Sequence, residues 1–347
     1  MSYLLHRNQT SYHPKVVRAK DNKVYDSYGK EYLDASSNVI NVNLGYSQSE
    51  IVQAMTLQAM RIPYSHNSKF KSELQENLAE RLIHFLDNSS FKCYFCSSGS
   101  ETIESALRIS QLYNEKATQH AAFKGSYHGS SLGALSISGA EIQKQFSGIL
   151  IPSIFFDWPV CSKCNHAMGG CQFECMKEIE REFEKKTIAS LTIDPMGSNA
   201  LGANILKSEY LKRLSELCKK FHVVLILDEI TTAIGRTGKY FAFQNYSKFT
   251  PDIICISKGL GVGYANIGAA IVNKRIIKDL PSTGNILGNT YNGHFIACAA
   301  ALKACDIIVE NKLVDSNYKE RMLHKRKTSR IEKISYCERY RGNGALV

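Results

Sequence analysis

The sequence predicts an α/β protein organised on a doubly wound, mostly parallel sheet. Two short apolar runs, Val223–Leu227 and Ile253–Ile256, have the length and branched content of fully buried strands. The first is entered directly from a helical pattern in which Tyr210, Leu211, Leu214, Leu217, Cys218 and Phe221 recur on one side behind Ser208 as N-cap. A helix that feeds a buried strand in this order belongs to a parallel sheet. A further strand, Cys93–Cys96, runs into small residues and then a helix with Ile103, Ala106 and Leu107 on one side.

At 347 residues the chain is long enough for one large domain and a smaller one. Its 44% hydrophobic and 22% charged residues are those of an ordinary globular protein, not a disordered one. No run approaches the length of a membrane span, and the opening MSYLLHRNQT lacks the apolar core of a signal peptide, so no membrane partner and a cytoplasmic location are expected. In that setting the 11 cysteines are read as reduced thiols. The net charge of +11 comes without any Lys/Arg tract interleaved with aromatics, so no nucleic-acid partner is expected; HKRKTSR at His324–Arg330 reads as a solvated helix face. A basic surface steers anionic small molecules, and that accounts for the charge.

Taken in order, Val16–Asp34 reads as two short strands around a turn at Ser27–Lys30. Ser49–Leu86 carries two helical patterns separated near Pro63. In SSGSE, Gly99 admits a close backbone approach, and the free N–H groups at the start of the next helix favour an anion such as a phosphate. Ser97 or Ser98 as an N-cap completed by Glu101 is the alternative reading of the same letters. AAFKGSYHGSSLG places Tyr127 and His128 among glycines, where a flat aromatic either stacks on a planar ring or simply packs in a loop. Cys161, Cys164, Cys171 and Cys175, at C-x2-C-x6-C-x3-C spacing, are soft ligands in one stretch, but the spacing is not that of a standard zinc finger and no metal is assigned. GNTYNG then leads into a helix rich in small residues.

The chemistry concentrates behind the two buried strands. Asp228 ends the first and Lys258 follows the second. Ligands of open α/β sheets bind beyond the carboxyl ends of parallel strands, so the two groups are expected in one crevice. A partly desolvated lysine is a nucleophile able to form a Schiff base, and a carboxylate opposite it can hold a cationic ring nitrogen. That pairing points to pyridoxal phosphate, with Lys258 on the aldehyde and Asp228 on the pyridine nitrogen. A loop acid and a helix-start lysine are the plainer reading of these two residues taken alone.

The surrounding letters D-E-I, G-R-T-G, P-D-I and S-K-G-L-G-x-G closely resemble the signature of class III pyridoxal-phosphate aminotransferases, the ornithine, acetylornithine and 4-aminobutyrate group. The resemblance implies a type I transferase fold with a smaller α+β domain. It assigns Gly99 and Ser100 to the cofactor phosphate, Tyr127 beside His128 to one ring face, Ile230 to the other, and Thr290 to the phosphate of a neighbouring subunit, hence a homodimer with shared sites. Four positions depart from the pattern: Tyr46 replaces a histidine, Asp194 a glutamate beside the cofactor, and Thr231 and Ala233 a glutamine and a glycine. RYRGNGALV resembles the start of a C-terminal domain that supplies a substrate-binding arginine, and most of that domain is expected to be missing.

The expected organisation is an N-terminal part of the small domain over 1–62, a cofactor domain over 63–312 and an incomplete C-terminal part over 313–347. The expected activity is ping-pong transfer of an amino group from an amine or amino acid to a 2-oxo acid through Lys258. Racemase, decarboxylase or phospho-lyase chemistry on the same core, or a truncated inactive homologue, are the alternatives.

Overall fold

The computed structural model describes residues 3–5, 13–159, 172–197, 200–246, 249–282 and 287–315. Near the start, β1 (Val16–Lys20), β2 (Lys23–Asp26) and β3 (Glu31–Leu33) form an antiparallel sheet of their own. The turn expected at Ser27–Lys30 is present, closed by Asp26, whose carboxylate accepts from the N–H groups of Tyr28 and Lys30 and from the Tyr32 hydroxyl. An additional turn at Asp21–Asn22, with Asp21 at φ +54, divides the first expected strand in two. Aspartate tolerates that left-handed conformation better than most residues.

Two helices follow on either side of Pro63, α1 (Ser49–Arg61) and α2 (Glu73–Leu86). The main sheet is then laid down by β4 (Phe91–Cys96), β5 (Gln119–Phe123), β6 (Ser153–Phe156), β7 (Ile188–Ile193), β8 (Val224–Asp228), β9 (Ile253–Ile256) and β10 (Gly268–Asn273). Between and after these strands run α3 (Gly99–Tyr113), α4 (Met176–Glu184), α5 (Ser208–Lys220) and α6 (Phe295–Glu310). Strand order is β4-β10-β9-β8-β7-β5-β6; only β10 runs against its neighbours. The doubly wound, mostly parallel architecture is thus observed.

Alternation along the central strands explains why both faces are covered. Val224 and Ile226 of β8, with Ile253 and Cys255 of β9, pack with Ile103, Ala106 and Leu107 of α3. Leu225 and Leu227 turn to the opposite face, against Ile179 and Phe183 of α4 and Tyr210, Leu211 and Leu214 of α5. Ile254 and Ile256 turn to that same face, against Leu78 and Leu82 of α2 and Cys298 and Ala301 of α6. A strand buried on both sides must be apolar at every position, and that is why these two read as unbroken hydrophobic runs. Ser208 is the first helical residue of α5, not its cap; Lys207 holds the cap position without a side-chain bond. Among the described residues no helix is long and apolar enough to cross a membrane.

Candidate active site

Register brings the two chemical candidates together. β8 and β9 pair in parallel with Asp228 opposite Cys255, and Lys258 lies three positions beyond Cys255 at the same end of the sheet. Lys258 itself adopts φ +27, a conformation rarely taken by residues with a side chain. Its loop is closed by bonds from the N–H groups of Gly261 and Val262 to the Lys258 carbonyl, both 3.1 Å, and from Leu260 N–H to the Ser257 carbonyl at 2.7 Å. Burial lowers the pKa of the Lys258 amine; the carboxylates of Asp228 and Asp194 act against that shift, and the Arg236 charge adds to it.

Asp228 is buried, and its two oxygens are spoken for: Oδ1 accepts from Ile230 N–H at 3.0 Å, and Oδ2 lies 2.7 Å from Nδ1 of His128. An ionised carboxylate can only accept, so the Nδ1 proton faces it and leaves Nε2 as the other ring atom to be matched. Nε2 is buried without a partner among the described residues. His128 is held in turn by its own N–H, which donates to Ser138 Oγ at 2.9 Å, while that hydroxyl reaches the Ala134 carbonyl, also 2.9 Å away.

The start of α3 closes another side. Ser98 caps it, accepting from Glu101 N–H at 3.2 Å, while Glu101 Oε2 accepts from Ser97 N–H at 2.7 Å. The capping reading of SSGSE is therefore correct, and it leaves the N–H groups of Gly99 and Ser100, at the head of a 15-residue helix, as donors for an anion. Both residues are fitted to their neighbours. A Cβ on Gly99 would stand 3.0 Å from Ile230 Cδ1, and one on Gly129 would stand 2.6 Å from Ser100 Oγ. Ser100 Oγ also accepts from Ser130 N–H at 3.2 Å, tying the Tyr127–His128 loop to the helix start.

Gly99, Ser100, His128, Asp228, Ile230 and Lys258 thus line one end of the sheet. Tyr127 adjoins them with its side chain half exposed. The Thr290 side chain is exposed; its carbonyl accepts from the Tyr64 hydroxyl at 2.6 Å, and the neighbouring Tyr291 carbonyl lies 3.5 Å from Ser97 Oγ. Asp194 is buried just past β7, its Oδ1 accepting from Met196 N–H at 2.9 Å. Sequence reading missed Glu229, fully buried behind Asp228, whose oxygens accept from Ala242 N–H at 2.5 Å and Phe243 N–H at 2.8 Å. It also missed Arg236, which donates to the side-chain oxygen of Asn43. Of the four cysteines in the C-x2-C-x6-C-x3-C stretch, Cys161, Cys164 and Cys171 lie outside the described residues. Among the described residues no group of three or more His, Cys, Asp or Glu is placed to hold a metal ion.

A buried acid clamped by a histidine, a desolvated lysine beside it and a helix start shaped by glycine suit a flat cationic ring carrying an anionic arm. The sequence profile of the family described as aminotransferase class-III matches residues 4–347. The chain belongs to that family. As a class-III aminotransferase it is a pyridoxal-phosphate-dependent enzyme, and the orphaned His128 Nε2 and the glycine-shaped cradle fit that group. This aminotransferase is 32% identical to an uncharacterized aminotransferase, YodT, of Bacillus subtilis, over the whole of this chain and 81% of that protein. It is 30% identical to an acetylornithine aminotransferase of Clostridium acetobutylicum, over 95% of this chain and 81% of that one. A Bacillus anthracis aminotransferase superposes with a TM-score of 0.91 at 27% identity, covering 99% of this chain and 79% of the other. A PLP-bound amine transaminase from an uncultivated Pseudomonas species gives 0.87 at 25% identity, with 99% and 81% covered.

Proposed function

We propose that the chain transfers an amino group from an amine or amino acid to a 2-oxo acid by a ping-pong route, with Lys258 as the amine that takes the cofactor aldehyde as a Schiff base and later carries the proton. Bound pyridoxal phosphate supplies an electron-withdrawing ring that makes the proton on the adjacent substrate carbon removable. The observation that carries the reading is the meeting of Asp228, His128 and Lys258 at the carboxyl ends of adjacent strands.

Each residue has a task that follows from its surroundings. Asp228, kept in place by Ile230 N–H and His128, presents its charge to the ring nitrogen. Gly99 and Ser100 offer N–H groups to the phosphate, while Ile230 and Tyr127 bound the two ring faces. Lys258, with its amine pKa lowered by burial, has a neutral form available to accept a proton and a charged form to return it. We further propose a homodimer in which the exposed Thr290 serves the partner's phosphate, and a cytoplasmic location, in keeping with the free thiols of Cys96, Cys218, Cys255, Cys298 and Cys305.

The test is the visible absorption of the purified chain with pyridoxal phosphate, before and after a panel of amino donors. A Lys258-dependent band that a donor converts and a 2-oxo acid restores supports the reading. Lys258→Ala is expected to lower turnover by at least about 10³-fold. Substantial transamination by that variant would overturn the assignment.

A further inference from the structure

Arg236 stands near the reactive lysine without an anion of its own. Its guanidinium is close enough to Lys258 to depress the amine's pKa, yet the one side-chain acceptor it meets is the neutral Oδ1 of Asn43. Among the described residues no carboxylate pairs with it, whereas the other partly buried arginines, Arg81 and Arg275, are paired with Asp306 and Asp252. A guanidinium has five N–H donors in a planar fork, and one bond to an amide oxygen leaves most of that fork unused. Placing a half-buried cation beside a lysine is unfavourable unless an anion joins them.

The arrangement is also rigid. Arg236 and Thr237 are the central residues of a turn closed by Gly238 N–H to the Gly235 carbonyl at 3.1 Å, and Thr237 Oγ1 accepts from Asn245 at 3.1 Å. Asn43 is seated on the lysine loop itself. Its Nδ2 is 2.5 Å from where a Cβ on Gly259 would stand, and the preceding Val42 packs the same way against Gly263. Glycine at position 259, directly after Lys258, is therefore what lets Asn43 in.

We propose that Arg236, aimed by Asn43, receives the carboxylate of the substrate, so that this enzyme selects amino acids and 2-oxo acids over simple amines. This rests on the transamination reading above. Donor and acceptor use the site in turn, and both meet the same guanidinium through a two-pronged, charge-assisted bond.

Two small probes separate recognition from chemistry, because both consume the visible band of the loaded enzyme while only one carries a carboxylate. These are aminooxyacetate and methoxyamine. Wild-type protein is expected to respond to aminooxyacetate at a much lower half-saturating concentration. In Arg236→Gln that advantage falls by about 30-fold, the loss of one strong charge-assisted contact, while the methoxyamine rate stays within about threefold. Arg236→Lys recovers part of the advantage. Equal slowing with both probes would reduce Arg236 to a structural or purely electrostatic neighbour of Lys258, and an undiminished preference would remove it from the site. A second readout does not need the cofactor: propionate is expected to raise the melting temperature of the unloaded wild type and not of Arg236→Gln. If the wild type gives no visible band, the transamination reading fails, and the propionate shift still decides whether Arg236 holds a carboxylate.

Discussion

The carboxylate of Asp228 is buried, so each oxygen needs a donor, and only one of them is local. Ile230 N–H follows from chain direction two residues on, but His128 arrives from 100 residues earlier. Its removal should therefore loosen the acid without touching the fold's connectivity. His128→Leu is expected to weaken cofactor binding by roughly 10- to 100-fold, the worth of a hydrogen bond to a charged group, and His128→Asn, whose amide can still donate, to recover most of it. Titration of the visible band with pyridoxal phosphate measures both; equal affinities for the two variants would mean that the histidine does not orient Asp228. At this scale the sequence was legible where chemistry and strand position coincide, as at Asp228 and Lys258. The His128–Asp228 pair and the unpaired state of Arg236 are relations between distant segments, so no local pattern carries them.

The elements that hold the site were mostly legible because a strand buried on both faces must be apolar throughout, as β8 and β9 are. Where the reading slipped, local geometry competed with pattern: Asp21 turned the chain inside an expected strand, and Ser208 entered α5 instead of capping it. The polar bond that keeps β8 and β9 in step was not foreseen. Asp252, buried just before β9, accepts from Leu225 N–H at 2.9 Å and pairs with Arg275 beyond β10. Burial raises its pKa and the Arg275 charge opposes that, so the ionised form depends on its partner. Asp252→Ala strands both the Leu225 amide and the guanidinium and is expected to cost about 3 kcal/mol of stability. Urea unfolding checks it, and a loss under about 1 kcal/mol would show that relaxation or water replaces the carboxylate.

Over the whole molecule, two buried groups outside the proposed chemistry set how stability follows pH. His120 of β5, with Nδ1 2.8 Å from Ser190 Oγ, has its pKa lowered by burial from 6.5 to about 4. The folded chain binds fewer protons there than the unfolded one, so this contribution is lost as pH falls from 6.5 through about 4. Glu229 is the reverse: burial pushes its carboxyl from 4.5 up to about 8, against the pull of the Phe243 and Ala242 N–H groups. Its contribution is fully present below 4.5 and is lost as pH rises through about 8. Between 4.5 and 6.5 the two slopes oppose each other, which predicts a plateau there with a decline on either side. Single variants separate the limbs when the urea midpoint of the unloaded chain is followed across this range. Glu229→Gln should keep the acid decline and flatten the limb above 6.5, whereas His120→Asn should leave a stability that falls steadily from 4.5 to 8. An alkaline limb that survives in Glu229→Gln would assign it to another group and leave Glu229 ionised in the fold, held by its two backbone donors.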